Sequence, residues 1–206
     1  MASTNTQSRT SFRNTKALSS SFYRRYTPVV AFELIGKILV FKQKEALFSA
    51  RIVETEAYLG AQDPASHAYR SVTPRNQVMF GHPGISYVYF TYGNHHCLNV
   101  VTEEHGTPGA VLIRALEPIS GIEWMTKRRK QDKLEALTNG PGKLTQAFGI
   151  TREHSGIDLT QGPFYIAESD QEETIQICAT ERIGISQAKE LPFRYYLLGN
   201  KFVSVI

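Results

Sequence analysis

The sequence predicts a single domain of mixed α+β structure, and three observations carry that reading. Its 206 residues, 41% of them hydrophobic, are enough for one sizeable core, and two full domains would be cramped. Runs of β-branched and aromatic residues recur along the chain and read as several strands. Between them stand segments with helix punctuation, one after Pro28 and one after Asn139-Gly-Pro-Gly142. The 20% charged fraction argues against a disordered or acidic tail protein. No apolar run approaches the ~18 residues a membrane span needs. The opening MASTNTQSRTSFRNTKALSSS lacks the apolar stretch of a secretory signal. Cys97 and Cys178 stand far apart with no CxxC, which excludes a disulfide framework and a zinc ribbon. They read as small buried hydrophobes in a reducing, intracellular compartment.

In chain order, residues 1–20 carry Arg9, Arg13 and Lys16 with no acid, and read as a flexible basic arm; a transit peptide has similar composition. Ordered structure is expected from Phe22. A helix at Val29–Leu34 follows Pro28, and Gly36 ends it. Lys37–Phe41 and Ala46–Ala57 are strands joined by the polar turn Lys42–Glu45. Gly60–Pro83 is a long irregular stretch, a length that points to function or mobility. Ile85–Phe90 and His96–Val101 form a hairpin about Tyr92-Gly93-Asn94. Ala110–Leu116 is a further strand. Ile119–Lys133 has a helical pattern with Arg128, Arg129 and Lys130 on its polar side. Lys143–Phe148 is a short helix, and short strands and turns follow to Ile206.

The net charge of +4 is unevenly spread: +6 over residues 1–50, −2 over 51–118, +3 over 119–150 and −3 over 151–206. Two basic segments thus flank a slightly acidic middle, which suits one polyanion-binding face around a chemically distinct centre.

Within that middle, Arg51-Ile-Val-Glu-Thr-Glu-Ala-Tyr58 places Glu54, Glu56 and Tyr58 on one face of a strand. Two carboxylates and a tyrosine on a β-branched strand read either as a solvated face or as a general base beside an aromatic platform. In Tyr87-Val-Tyr-Phe-Thr-Tyr92, Tyr87 and Tyr89 share one face and Val88 and Phe90 the other, with Tyr87 and Phe90 expected in the core. Tyr92, at the hairpin tip, suits a wedge entering a base stack. His67 reads as a capping or packed histidine. His95 and His96 face opposite ways on a strand, and no HxH, HExxH or paired HxxxH is present, so no metal is expected. Arg114 ends an apolar run, with Glu117 as its nearest candidate partner; alternatively it serves a phosphate or a catalytic carboxylate. Asn139-Gly-Pro-Gly-Lys143 could offer N–H groups and a lysine to a phosphate, but lacks P-loop spacing.

Several segments occur together in order. They are Arg51-Ile-Val-Glu-Thr-Glu-Ala-Tyr-Leu-Gly60, Ala-Ser-His67, Thr73-Pro-Arg-Asn76 with Met79-Phe80, and Tyr87-Val-Tyr-Phe-Thr-Tyr-Gly93. Cys97-Leu-Asn99, Leu112-Ile-Arg-Ala-Leu-Glu-Pro118, Asn139-Gly-Pro-Gly-Lys-Leu144 and Arg182-Ile-Gly-Ile185 complete the set. Over about residues 22–206 the chain resembles the alkyladenine (3-methyladenine) DNA glycosylase family, monofunctional enzymes that excise damaged purines. That resemblance implies a single α+β domain with a curved, mainly antiparallel sheet, surrounding helices and a β-hairpin that enters the DNA minor groove. It implies Glu56 as the base that activates water, helped by Arg114, and a base pocket of Tyr58, His67, Tyr89 and Asn99. Tyr92 would fill the gap left by the flipped base. Arg75, Met79, Lys143, Ile183 and Gly184 fall on positions that meet the DNA backbone or hold the water. Asn94-His95-His96 departs from the more apolar or aromatic run expected after Tyr-Gly. The resemblance further implies no cofactor, a monomer, duplex DNA with a damaged purine as partner, and no membrane. The location would be cytoplasm or nucleoid in a bacterium and nucleus in a eukaryote. Two other readings of the same residues are a metal-dependent nucleic-acid hydrolase using Glu54, Glu56, His67 and one hairpin histidine, and a non-catalytic minor-groove binder using the basic arms and Tyr92.

Overall fold

In a computed structural model, residues 16–44, 46–91, 93, 95–170 and 174–205 are described. Among them, eight strands form one antiparallel sheet, β1 (Ile38–Lys42) to β8 (Arg194–Leu197), flanked by short helices. The path runs β3 (Ser86–Thr91), β4 (His95–Val101), β5 (Ala110–Ser120), β2 (Leu47–Tyr58), β1, β6 (Phe164–Ala167). The long strand β2 makes the sheet fork. One edge pairs with β5, while the other pairs with β1 over Leu47–Arg51 and with β8 over Glu54–Glu56. β8 in turn carries β7 (Ile177–Thr180). The fold is the expected curled antiparallel sheet with helices around it, α+β in one domain.

Local chemistry explains the element ends. After the single turn α1 (Ser20–Tyr23), α2 (Thr27–Glu33) starts one residue before Pro28, which sits in the first turn where its missing N–H costs nothing. The strand expected to stop at Leu116 continues to Ser120, because Pro118 pairs with Ala50 at a register shift in β2, a place that tolerates a missing donor. The helix expected over Ile119–Lys133 is therefore shorter, α3 (Ile122–Arg129), bounded by left-handed Gly121 and Lys130. Its arginines are not a free polar face. Arg128 Nη2 donates to Gln43 Oε1 at 2.7 Å and its guanidinium lies over the Phe48 ring, while Arg129 Nε donates to the Leu137 carbonyl at 3.1 Å. They tie α3 to the sheet and to the approach to α4 (Pro141–Phe148).

Packed structure also reaches further back than Phe22. Ala17 bridges to Ala167, and the buried Leu18 donates its N–H to the Ile166 carbonyl. Residues 1–15 lie outside the described residues, as do Tyr92 and Asn94 of the hairpin.

The main core fills the space between the sheet and the helices, with Phe48, Leu116, Met125, Leu144 and Phe148 at its centre. A second cluster of Ala68, Met79, Tyr87, Val101 and Ala110 lies under the irregular 60–83 stretch. That cluster anchors the stretch against β3–β5 and so shapes the cavity described next. No helix of the described residues is long and apolar enough to cross a membrane.

Candidate active site

The C-terminal half of β2 brings the carboxylates together. Its pairing with β5 shifts register on both sides of Glu54, and such bulges re-aim side chains. Glu54 and Glu56 are fully enclosed, so the solvated-face reading of this strand does not hold. Each is matched by donors instead, as buried carboxylates must be.

Glu56 Oε2 accepts from the Tyr58 hydroxyl at 2.8 Å and lies 3.2 Å from Arg114 Nη1. Its Oε1 accepts from the Ile183 backbone N–H at 2.7 Å. Glu54 takes the other end of Arg114, accepting from Nε at 3.0 Å. It also accepts from Arg194 Nε at 2.7 Å and from the Ser204 hydroxyl and N–H at 2.9 and 2.7 Å. Two carboxylates and two guanidiniums thus form one interleaved cluster. Burial opposes the charge on Arg114, but Glu56 and Glu54 outweigh it and hold its pKa above the ordinary value. Tyr58 is pushed up by burial and then by Glu56, so its hydroxyl stays a donor.

Above this cluster opens a cavity of about 770 Å3, within the usual size of a ligand site. Tyr58, Tyr87, Tyr89 and His67 line it together with Asn99, Met79, Cys97 and Gly184, and Arg114 and Ile183 join the lining beside Glu56. Glu56 itself lies directly beneath this lining. The His67 and Tyr89 rings meet edge-on at 4.6 Å, and His67 Nδ1 is 2.9 Å from the Tyr87 hydroxyl. His67 is pushed down to about 4 by the packing of its ring and by Arg75, so it is neutral near pH 7. Tyr89 is pushed up by burial and by Cys97 beside it. Asn99 Nδ2 donates to the Tyr87 carbonyl at 3.0 Å.

The profile of the family described as Methylpurine-DNA glycosylase (MPG) matches residues 21–201. A candidate 3-methyladenine DNA glycosylase of Prosthecochloris aestuarii is 52% identical over 184 residues, covering 89% of this chain and 88% of its own length. Proteins of the same name from Chlorobium luteolum and Desulfitobacterium hafniense are 47% and 46% identical, covering 91% and 92% of this chain and 96% and 99% of their own lengths. The chain belongs to the methylpurine-DNA glycosylase family.

As a DNA glycosylase of base excision repair, it brings most of the residues singled out from the sequence to one place. Glu56, Tyr58, His67, Tyr89, Asn99, Arg114, Met79, Ile183 and Gly184 all lie in or against the cavity. Three do not. Arg75 sits outside the lining with its guanidinium 5.0 Å from the Tyr89 ring centre. Lys143 is exposed and donates to Asn139 Oδ1 at 2.8 Å. Tyr92 falls outside the described residues.

One expected pairing and one expected placement are corrected in this glycosylase. Arg114 does not pair with Glu117, which instead accepts from Asn200 Nδ2 at 2.9 Å; Arg114 points to the opposite neighbours along β2, Glu54 and Glu56. Phe90 is not a core residue but exposed, packing on His96 at 5.1 Å, because the hairpin extends past the body of the sheet there.

Sequence reasoning also missed the supports of the site. Arg182 is enclosed between the Tyr58 and Phe193 rings, and its Nη2 donates to Asp63 Oδ1 at 2.9 Å. This pair pins the segment carrying Ile183 to the loop after Tyr58. The sequence block Arg182-Ile-Gly-Ile185 was its one visible sign. Arg194 and Ser204 had none.

Proposed function

We propose that this enzyme hydrolyses the N-glycosidic bond of a methylated or deaminated purine flipped out of duplex DNA, leaving an abasic site. The observation that carries the reading is the placement of Glu56: an enclosed carboxylate under an aromatic cavity, held by Tyr58, Arg114 and the Ile183 N–H. A base inside a duplex hides its glycosidic bond, so the nucleotide must leave the stack; that costs a few kcal/mol, less for a damaged base. Tyr92, between Thr91 and Gly93 in the sequence, fills the vacated space. The flipped base stacks among Tyr58, His67 and Tyr89, whose electron-rich faces favour an alkylated, cationic purine by ~0.5–2 kcal/mol per ring. Asn99 at the floor disfavours the 2-amino group of normal guanine.

Glu56 takes a proton from water as the water attacks the sugar carbon, and its charge stabilises the oxocarbenium character that develops there. Arg114 and the Ile183–Gly184 backbone keep carboxylate and water aligned. Arg75, Met79 and Lys143 support the DNA backbone around the site. Among the described residues no lysine lines the cavity, which supports hydrolysis without a covalent amine intermediate. The working form is an intracellular monomer acting on duplex DNA without a cofactor.

Glu56→Gln tests this reading. The variant should hold lesion-bearing duplex as tightly as the wild type yet release base at least ~100-fold more slowly. Release at the wild-type rate would remove Glu56 from the chemistry. Borohydride should trap no enzyme–DNA adduct.

A further inference from the structure

Each of the two tyrosine walls of the cavity carries a guanidinium. Behind Tyr58 is Arg182, 4.7 Å from the ring centre, fully enclosed and paired with Asp63. Against Tyr89 is Arg75, 5.0 Å from the ring centre. The two differ in one respect that matters for a ligand. Arg182 has a buried carboxylate on its own nitrogens, so its charge is cancelled where it stands. Arg75 has no carboxylate in ion-pair reach among the described residues, and it stands outside the cavity lining. Its charge, on an exposed side chain, therefore bears on the Tyr89 ring.

Arg75 also bears on a second wall residue, offsetting part of the rise that burial imposes on the Tyr87 hydroxyl. A cation has no lone pair to offer, so the Tyr87 oxygen, not its proton, is the end turned toward it. The Tyr87 proton then points at His67 Nδ1, 2.9 Å away. That leaves His67 as the neutral tautomer with its proton on Nε2, a donor and not a cation. The lowering of His67 to about 4, from partial desolvation against its neighbours and from Arg75, agrees with this assignment.

We propose that Arg75 is a specificity-determining residue: its guanidinium, seated against Tyr89 and the Tyr87–His67 hydrogen bond, weighs the pocket against cationic purines and toward neutral ones. This rests on the cavity being the base pocket. A π face attracts a cation through its quadrupole, and a cation already seated on the ring offsets that attraction and adds direct repulsion. A neutral purine does not feel that repulsion and gains a donor from the His67 Nε2–H. The site thereby accepts both classes, where bare tyrosines would favour the cationic lesion strongly.

The test compares duplex oligonucleotides bearing a single 7-methylguanine, a cation, or a single hypoxanthine, a neutral base. Single-turnover base release over enzyme concentration gives the ratio of efficiencies for the two. In Arg75→Met the ratio of cationic to neutral should rise roughly three- to tenfold. Arg75→Lys keeps the charge and should hold the ratio within about twofold of wild type. If Arg75→Met slows both lesions equally, Arg75 is a DNA contact alone and the proposal fails. A fall in the ratio overturns its sign. Wild-type enzyme releasing neither base would overturn the parent reading of the cavity and this one with it. Normal release with an unmoved ratio overturns only this one.

Discussion

Every oxygen of Glu54 and Glu56 is already engaged, and that fixes how substitutions there will behave. Glu54→Gln would turn one acceptor into an NH2 group facing arginine and serine donors, leaving Arg114 and Arg194 under-neutralised. Breaking a buried pair in this way costs ~3–5 kcal/mol, measurable as a lowered urea midpoint. Arg114 would lose its second anchor at the same time, so the excision rate should fall although Glu56 is untouched. His67 gives a pH signature. Its imidazole titrates near 6.5 in an unfolded chain and at about 4 in the folded one. The unfolded state therefore binds the extra proton first as pH falls. The stability that neutral His67 preserves is complete above ~6.5 and is lost as the pH drops toward 4. Thermal melts between pH 7 and 5 should show a decline that His67→Gln flattens. At this scale the sequence revealed the actors and concealed their supports. Glu56 and Tyr58 stand out because alternation puts them on one face of β2, and Tyr89 because it shares a face of β3 with Tyr87. The pairs Glu54–Arg194 and Asp63–Arg182 span 140 and 119 residues, and no local pattern encodes them.

Elements follow the same division. The strands were legible because each is a run of β-branched and aromatic residues ended by a turn former. The end of β5 and the start of α3 were not, because Pro118 normally argues against a strand and here meets a bulge in its partner. Gly60, just past the end of β2, shows how tightly the site-bearing strand is held. It has φ +63°, and a Cβ there would sit 2.0 Å from the Pro108 carbonyl oxygen. Gly60→Ala should destabilise the fold by more than ~1–3 kcal/mol and displace the Asp63 loop. Gly106 has φ +89° with nothing near its absent side chain, so Gly106→Ala should cost only ~1 kcal/mol, the strain of the backbone alone. Chemical denaturation of the two variants separates steric from conformational cost.

For the whole molecule, the uneven charge acquires a physical arrangement. The slightly acidic middle holds the enclosed carboxylates, while part of the basic segment 119–150 ties α3 to its neighbours. The remaining exposed cations, Lys143 among them, are those available to phosphates. Duplex binding should weaken with added salt, by roughly tenfold or more between dilute and physiological ionic strength. The single-turnover excision rate at saturating enzyme should barely move, since the enclosed Glu56 is little screened by salt. Titrations and rapid-quench measurements across the same salt series check both halves.

The bonds from Ser204 to Glu54 join residues 150 positions apart. During synthesis on a ribosome, Glu54 emerges early and Arg114 joins it well before Arg194 and Ser204 exist. Until then Glu54 lacks three of its four donors, and a carboxylate so placed resists burial. The nascent chain can lay down β1, β2 and β5, yet the carboxylate–arginine cluster beneath the cavity is complete only when Arg194 and Ser204 arrive. Catalytic competence is thus among the last properties the growing polypeptide acquires.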